Sequence, residues 1–313
     1  MNNFNLDILG CGSATPGMRH MPSSQVVEHR GRLFMIDCGE GAQLSMRRFH
    51  LNFNRLGHIF ISHLHGDHCF GLPGLLSTFA LHAKSGTLVI HMFREGIKAM
   101  KPYVDFFLPD PTFDIVYEPF EPTDGVIYED TSLTIEAFPL YHRVKCSGFI
   151  FREKPKPRHL LSDMIKFYGI PIKELAAIKA GADFTAADNR VIPNSRLTTD
   201  PTPAISYAYC SDTAADKRVA EAVAGVDVIY HEGTYDHTMA ALAAARGHST
   251  ARQAAEIASR AAAKTLILGH YSKRYRDDSV LIEEARNLFP QTIGANEGMV
   301  IPLDAPHKNH IVK

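Results

Sequence analysis

Ile61-Ser62-His63-Leu64-His65-Gly66-Asp67-His68 is the stretch that decides how this chain is read. It follows a strand candidate, His58–Ile61, and precedes a helix candidate, Phe70–His82. Side chains alternate along an extended segment, so His63 and His65 point to the same side and both imidazoles can reach one ion. Gly66 permits a sharp turn. Asp67 and His68 then stand at the helix start, within reach of a second ion. Imidazole with carboxylate suits zinc, and manganese or iron is also compatible. Four ligand-type residues within six positions are hard to explain as an ordinary surface cluster.

Working outward, short strand-like runs alternate with helical ones. Strands are expected at Asn5–Leu9, Leu33–Ile36, Leu88–His91, Leu133–Ala137, Ile205–Tyr209, Val228–His231 and Thr265–Gly269. Helices are expected at Gly96–Tyr103, Ala214–Val223, Ala251–Ala263 and Ser279–Phe289. Thr250 with Gln253 three residues later has the capping-box pattern at the start of the Ala251 helix. Interleaving of this kind indicates an α/β protein, with mixed rather than purely parallel sheets. Three further ligand-type residues follow strand candidates: His142, Asp212 and His270. Each alone is weak evidence, since an Asp after a strand commonly caps a helix. Their shared placement in strand-end loops, where α/β folds expose functional groups, strengthens all three.

Composition bounds the possibilities. The chain has 313 residues, with 33 Lys and Arg against 34 Asp and Glu, so the net charge is −1. That argues against a nucleic-acid-binding protein of the usual strongly basic kind, while leaving room for a local basic stripe. Candidates for such a stripe are the seven Lys and Arg residues between positions 153 and 190, Arg47-Arg48, and Lys273-Arg274 with Arg276. There are 17 histidines and no tryptophan. The cysteines Cys11, Cys38, Cys69, Cys146 and Cys210 are odd in number and scattered, which disfavours a disulfide framework and fits a cytoplasmic protein. No secretory leader and no membrane-spanning run are expected.

From Phe151 to Ser195 the apolar spacing breaks, and between Glu153 and Arg190 seven Lys or Arg residues stand against five acidic ones. This reads as an insertion with its own short helices.

The H-x-H-x-D-H run with the later His, Asp and His resembles the metallo-β-lactamase superfamily. The resemblance implies an αββα sandwich, two mixed β-sheets between helices. It implies one zinc on His63, His65 and His142, a second on Asp67, His68 and His270, and Asp212 bridging both.

Longer segments resemble the ribonuclease Z family over nearly the whole chain. These are Leu9-Gly10-Cys11-Gly12-Ser13-Ala14-Thr15-Pro16, Ile36-Asp37-Cys38-Gly39-Glu40-Gly41, the run His63–Leu76, His231-Glu232-Gly233-Thr234, Gly247-His248-Ser249-Thr250 and Leu266-Ile267-Leu268-Gly269-His270-Tyr271-Ser272. The insertion, with Phe167–Pro171 and Ile178–Gly181, resembles the family's tRNA-gripping arm, although Lys173-Glu174 replaces the arm's usual Gly-Pro step. The resemblance implies one domain over 1–313 carrying an arm at 152–195. It implies a homodimer and precursor tRNA as substrate. The implied reaction is two-metal hydrolysis by an endonuclease that leaves a tRNA 3′-hydroxyl and a 5′-phosphate on the trailer. Asp67 is a metal ligand that can also take the nucleophile's proton. His248 is the candidate donor to the departing 3′ oxygen, and Glu232 can orient it.

Overall fold

The computed structural model describes residues 4–307 and the backbone of 311–312. Two compact units make up the described chain. The first comprises the residues up to Tyr128, then Ile135–Phe151, then those from Ser206 onward; the second comprises Glu129–Thr134 and Arg152–Ile205.

One sheet of eight strands contains β1 (Phe4–Gly10), β2 (Ser24–His29), β3 (Arg32–Cys38), β4 (Leu56–Phe60), β5 (Thr87–Met92) and β6 (Asp114–Pro119), with β18 (Met299–Pro302) and β19 (Ile311–Val312) beyond β1. Its β1–β3 portion is antiparallel and its β3–β6 portion parallel. A seven-stranded sheet runs in the order β17 (Thr292–Gly294), β16 (Thr265–Gly269), β15 (Val228–Glu232), β14 (Ser206–Cys210), β9 (Cys146–Glu153), β8 (Leu133–Leu140) and β7 (Gly125–Glu129). Every residue of β14, β15 and β16 is buried, as parallel strands covered on both faces require.

Aromatic rings join the sheets: Phe34 meets Phe151 at 6.2 Å between centroids, and Phe60 meets Phe149 at 5.6 Å. On the outer face of the first sheet, Leu33, Met35, Ile59 and Ile90 share a core with Met46 of α1 (Ala42–Arg48), Leu75 and Phe79 of α3 (Leu72–Leu81) and Val104 of α4 (Arg94–Phe107). The helices α9 (Ala251–Arg260) and α10 (Ser279–Leu288) lie against β15, β16 and β17. Helix, sheet, sheet and helix make the αββα sandwich that the resemblance implies.

Local chemistry moves several expected boundaries. The helix expected over Phe70–His82 is α3, which starts at Leu72, and a separate short helix, α2 (Gly66–Cys69), precedes it across Phe70 and Gly71. Gly71 donates its N–H to the Cys38 carbonyl, and a Cβ there would stand 2.0 Å from the Gly39 carbonyl oxygen, so only glycine fits. The helix expected from Ala214 starts at Lys217, as α7 (Lys217–Ala222), because the Asp216 side chain caps it by accepting from Arg218 N. α9 has both capping-box hydrogen bonds and stops at Arg260, short of Ala263, with Ala262 left-handed at φ 54°. α8 (Ala240–Arg246) precedes it.

The second unit holds α5 (Ser162–Phe167), α6 (Leu175–Lys179) and two short ribbons: β10 (His159–Leu160) pairs with β13 (Thr198–Thr199), and β11 (Phe184–Thr185) with β12 (Val191–Ile192). Ile170, Ile178, Ile192 and Leu197 form its own small core.

Candidate metal centre and catalytic site

Parallel register assembles the site. β14, β15 and β16 pair Cys210 with His231, His231 with Leu268, and Glu232 with Gly269. Their carboxyl ends thus bring Asp212, Glu232 and His270 to one edge of the sheet, the place where open α/β sheets bind ligands. β4 leads into His63 and His65, α2 carries Asp67 and His68, and His142 follows β8 by two residues.

All seven candidate ligands converge. His63, His65, His142 and Asp212 form one group, and Asp67, His68 and His270 another; within each, the ligand atoms lie within 4.8 Å of one another. His65 Nδ1 is 3.1 Å from His63 Nε2 and 3.3 Å from His142 Nε2. His68 Nε2 is 3.4 Å from His270 Nε2. Asp212 lies between the groups. Its Oδ2 is 3.6 Å from His63 Nε2, and its Oδ1 is 3.1 Å from His270 Nε2 and 3.4 Å from His68 Nε2.

For His63, His68, His142 and His270 the ring nitrogen facing away is engaged, which fixes the tautomer. His68 Nδ1 donates to Asp37 Oδ2 at 2.7 Å, and His142 Nδ1 donates to the Gly247 carbonyl at 2.7 Å. His63 Nδ1 donates to Ser62 Oγ at 3.0 Å, and that hydroxyl donates to Asp37 at 2.8 Å. His270 Nδ1 donates to Thr234 Oγ1 at 2.9 Å, and Thr234 donates to Glu232. Asp67 Oδ2 accepts from Ala14 N at 2.6 Å. Asp37 and His270 are held in the left-handed region at φ 55° and 61°, backbone strain of a kind that collects at functional sites.

Electrostatics prepare the groups for a cation. Burial and the neighbouring imidazoles push His63, His65 and His142 towards the neutral, lone-pair-bearing form. Burial works against charge on Asp67 and Asp212, but the surrounding histidines outweigh it and hold both carboxyls low. His68 is pushed upward despite its burial by Asp212, Asp37 and Asp67.

The donor set fits divalent metal. The buried Asp212 Oδ1 has no hydrogen-bond partner among the described residues, although His270 Nε2 is 3.1 Å away. Its nearest neighbours are the imidazole nitrogens of His270 and His68 at 3.1 and 3.4 Å, and a cation shared with those rings would satisfy the ionised buried carboxylate.

His248 stands beside the two groups. Its Nδ1 donates to Glu232 Oε1 at 2.9 Å. Burial opposes its charge, but the Glu232 carboxylate prevails and raises it to about 9. Glu232 is fully buried, also accepts from Thr213 N, and is held low by His248 against the effect of burial. His65, Asp67, His142, Asp212 and His270 line a cleft of about 530 Å³ together with His248. Arg143, Arg246, Lys273 and Arg274 add cationic groups to its walls. Lys273 and Arg274 are among the expected basic residues.

The sequence reading missed Arg143 and Arg246, and it assigned no role to Asp37, Thr234 or the Gly247 carbonyl. Adjacency to His142 and His248 was the available signal for the arginines. Asp37 and Thr234 lay within quoted motifs, but only the fold brings them against imidazoles.

Comparison with known proteins gives the following. The family model described as anti-Pycsar protein Apyc1 matches residues 4–96. Ribonuclease Z of Phocaeicola vulgatus is 48% identical over 306 residues, covering 97% of this chain and 99% of its own. Ribonuclease Z of Bacteroides thetaiotaomicron is 48% identical over 305 residues, covering 97% and 96%. Among solved structures, the short form of human tRNase Z superposes with a TM-score of 0.68 at 24% identity, covering 96% of this chain and 99% of its own. The metallo-β-lactamase fold protein YhfI of Bacillus subtilis gives 0.67 at 17%, with the same coverage. At those identities the two structures speak for the fold.

Proposed function

The chain belongs to the ribonuclease Z family, and from that premise, which makes it a metal-dependent endoribonuclease of tRNA 3′-end processing, we propose that it removes the 3′ trailer from precursor tRNA by two-zinc phosphodiester hydrolysis. His63, His65 and His142 would hold one ion, Asp67, His68 and His270 the other, and Asp212 both. The placement of Asp212 carries this reading: one carboxylate oxygen faces each group, and Oδ1 lacks a hydrogen-bond partner among the described residues. Bound there, divalent cations would supply Lewis-acid stabilisation of phosphate charge and water of lowered pKa.

The chain's own residues do the rest. Asp67, kept ionised, can accept the proton of the attacking water. His248, kept protonated by Glu232, donates to the departing 3′ oxygen, so the tRNA leaves with a 3′-hydroxyl and the trailer keeps a 5′-phosphate. The four cationic side chains of the cleft suit a polyanionic strand.

The inserted segment 152–195, read as an arm, is proposed to grip the tRNA body. The arm is most useful in a homodimer, where it serves a second copy; light scattering of the purified chain reads the assembly. A cytoplasmic location is supported by five cysteines that are all free and buried. No helix among the described residues is long and apolar enough to cross a membrane.

The deciding experiment incubates a precursor tRNA bearing a 3′ trailer with the metal-loaded chain, with and without chelator, and maps the new ends. A chelator-sensitive cut beside the discriminator base, leaving a 3′-hydroxyl, is expected. Zinc- and manganese-loaded protein that cuts no precursor overturns the reading.

A further inference from the structure

Outside that centre, two ligand-type side chains nine residues apart, Cys11 and His20, meet a third from near the far end of the chain, Glu297. Cys11 Sγ is 3.4 Å from His20 Nδ1 and 3.6 Å from Glu297 Oε1, and His20 Nδ1 is 2.9 Å from Glu297 Oε2. We propose that Cys11, His20 and Glu297 form a further, structural divalent-cation site, a thiolate–imidazole–carboxylate set suited to zinc.

The spacing is that of a tetrahedral shell. Zinc lies about 2.3 Å from sulfur and about 2.0–2.2 Å from nitrogen or oxygen, so ligand atoms of one tetrahedron stand roughly 3.4–3.6 Å apart. The Sγ–Nδ1 separation of 3.4 Å matches this, the Nδ1–Oε2 separation of 2.9 Å needs a shift of about half an ångström, and one ligand atom from each of the three residues lies within 4.8 Å of the others.

The surrounding bonds are those that orient metal ligands. His20 Nε2 faces Asp278 Oδ2 at 2.7 Å, so with Nδ1 on the ion the ring donates its other N–H to a carboxylate. Glu297 Oε1 accepts from Cys11 N at 3.2 Å and Met21 N at 2.9 Å, which fixes the carboxylate and leaves Oε2 turned to the imidazole. Arg19 pairs with Asp278 and completes the shell. Cys11 is wholly buried, while the His20 and Glu297 side chains are each 13% exposed, so the open side of the site can admit a water as fourth ligand.

Charge balances. In the protonated cluster the His20 imidazolium and Arg19 offset Glu297 and Asp278, and Cys11 is a thiol. Entry of a divalent cation with loss of one proton from Cys11 and one from His20 leaves the net charge unchanged, and a coordinating thiol is deprotonated in any case.

The site would tie the segment after β1 to the 278–297 region. That segment supplies the Ala14 N–H held by Asp67, so the tie steadies one wall of the catalytic cleft without touching substrate.

Cobalt(II) tests this, because the catalytic ligands are only nitrogen and oxygen. The wild-type full chain loaded with cobalt should bind one ion beyond those at the His63–His270 centre. It should show a near-ultraviolet thiolate-to-cobalt charge-transfer band. Cys11→Ser should lose the band and that one ion, and Glu297→Gln should weaken both while keeping the thiol. A wild-type protein that fills its catalytic centre without any thiolate band overturns the proposal, as does a band that survives in Cys11→Ser. The wild-type measurement and Glu297→Gln decide the matter even if Cys11→Ser does not fold.

Discussion

His248 Nδ1 donates a 2.9 Å hydrogen bond to Glu232 Oε1, a carboxylate buried completely at the end of β15. The pairing sets the proton state of a ring that lines the cleft. With His248 raised to about 9 against the pull of burial, its charged form persists through neutrality and is lost as pH rises through that value. If the charged ring is the donor, kcat/KM for precursor tRNA should hold through neutral pH and fall near pH 9. Glu232→Gln removes the charge and keeps the burial, so the alkaline limb should move down to or below the ordinary histidine value of about 6.5. A pH–rate profile of the variant reads this directly. An unmoved limb would mean that another group titrates there.

His248→Ala should lower turnover on precursor tRNA by about 10²–10⁴-fold, the usual worth of a positioned general acid. Metal content should stay at the wild-type level. A nitrophenyl phosphodiester, whose leaving group needs no proton, should lose far less. Loss of metal from this variant would make His248 a ligand rather than a donor.

Asp212→Ala should lower metal content and abolish cleavage, because its two oxygens face both histidine groups. Elemental analysis beside the tRNA assay separates the two effects. Full activity in this variant would sink the bridging assignment.

Thr234 accepts from His270 Nδ1 and donates to Glu232, so it links a proposed ligand to the carboxylate that orients the proposed acid. Thr234→Val keeps the shape and removes both bonds. Loss of such an outer partner typically weakens metal affinity about 10–100-fold. A chelator titration measures the loss, and added zinc should restore much of the activity.

The histidine run was legible because its spacing carries its geometry: alternation, then a glycine turn, then a helix start. The buried parallel strands were legible for a similar reason, since Leu266–Leu268 and Val228–Tyr230 are continuous apolar runs. β6 and β7 were not foreseen, because Asp114–Pro119 and Gly125–Glu129 are largely unburied and their apolar residues give little signal. The break at Gly71 depends on the carbonyl of Gly39, a close approach that no local pattern contains. Asp37 shows the same limit at the site. Its roles on Ser62, His68 and Tyr209 arise only when three strands come together.

The inserted segment offers the remaining test, and its architecture says where to cut. His159 pairs with Thr199 and Leu160 with Thr198, so the chain enters and leaves through one ribbon, while the core of Ile170, Ile178, Ile192 and Leu197 closes beyond it. Replacing residues 161–197 by a short glycine linker should therefore remove the arm and leave the ribbon intact. If the arm grips tRNA phosphates, KM for precursor tRNA should rise. The salt dependence of binding should also flatten, by about 0.9 in the log–log slope for each duplex phosphate that the arm no longer neutralises. Hydrolysis of the nitrophenyl phosphodiester should be unchanged, since that substrate needs only the cleft. Equal loss on both substrates would mean that the segment supports the catalytic fold and does not hold RNA.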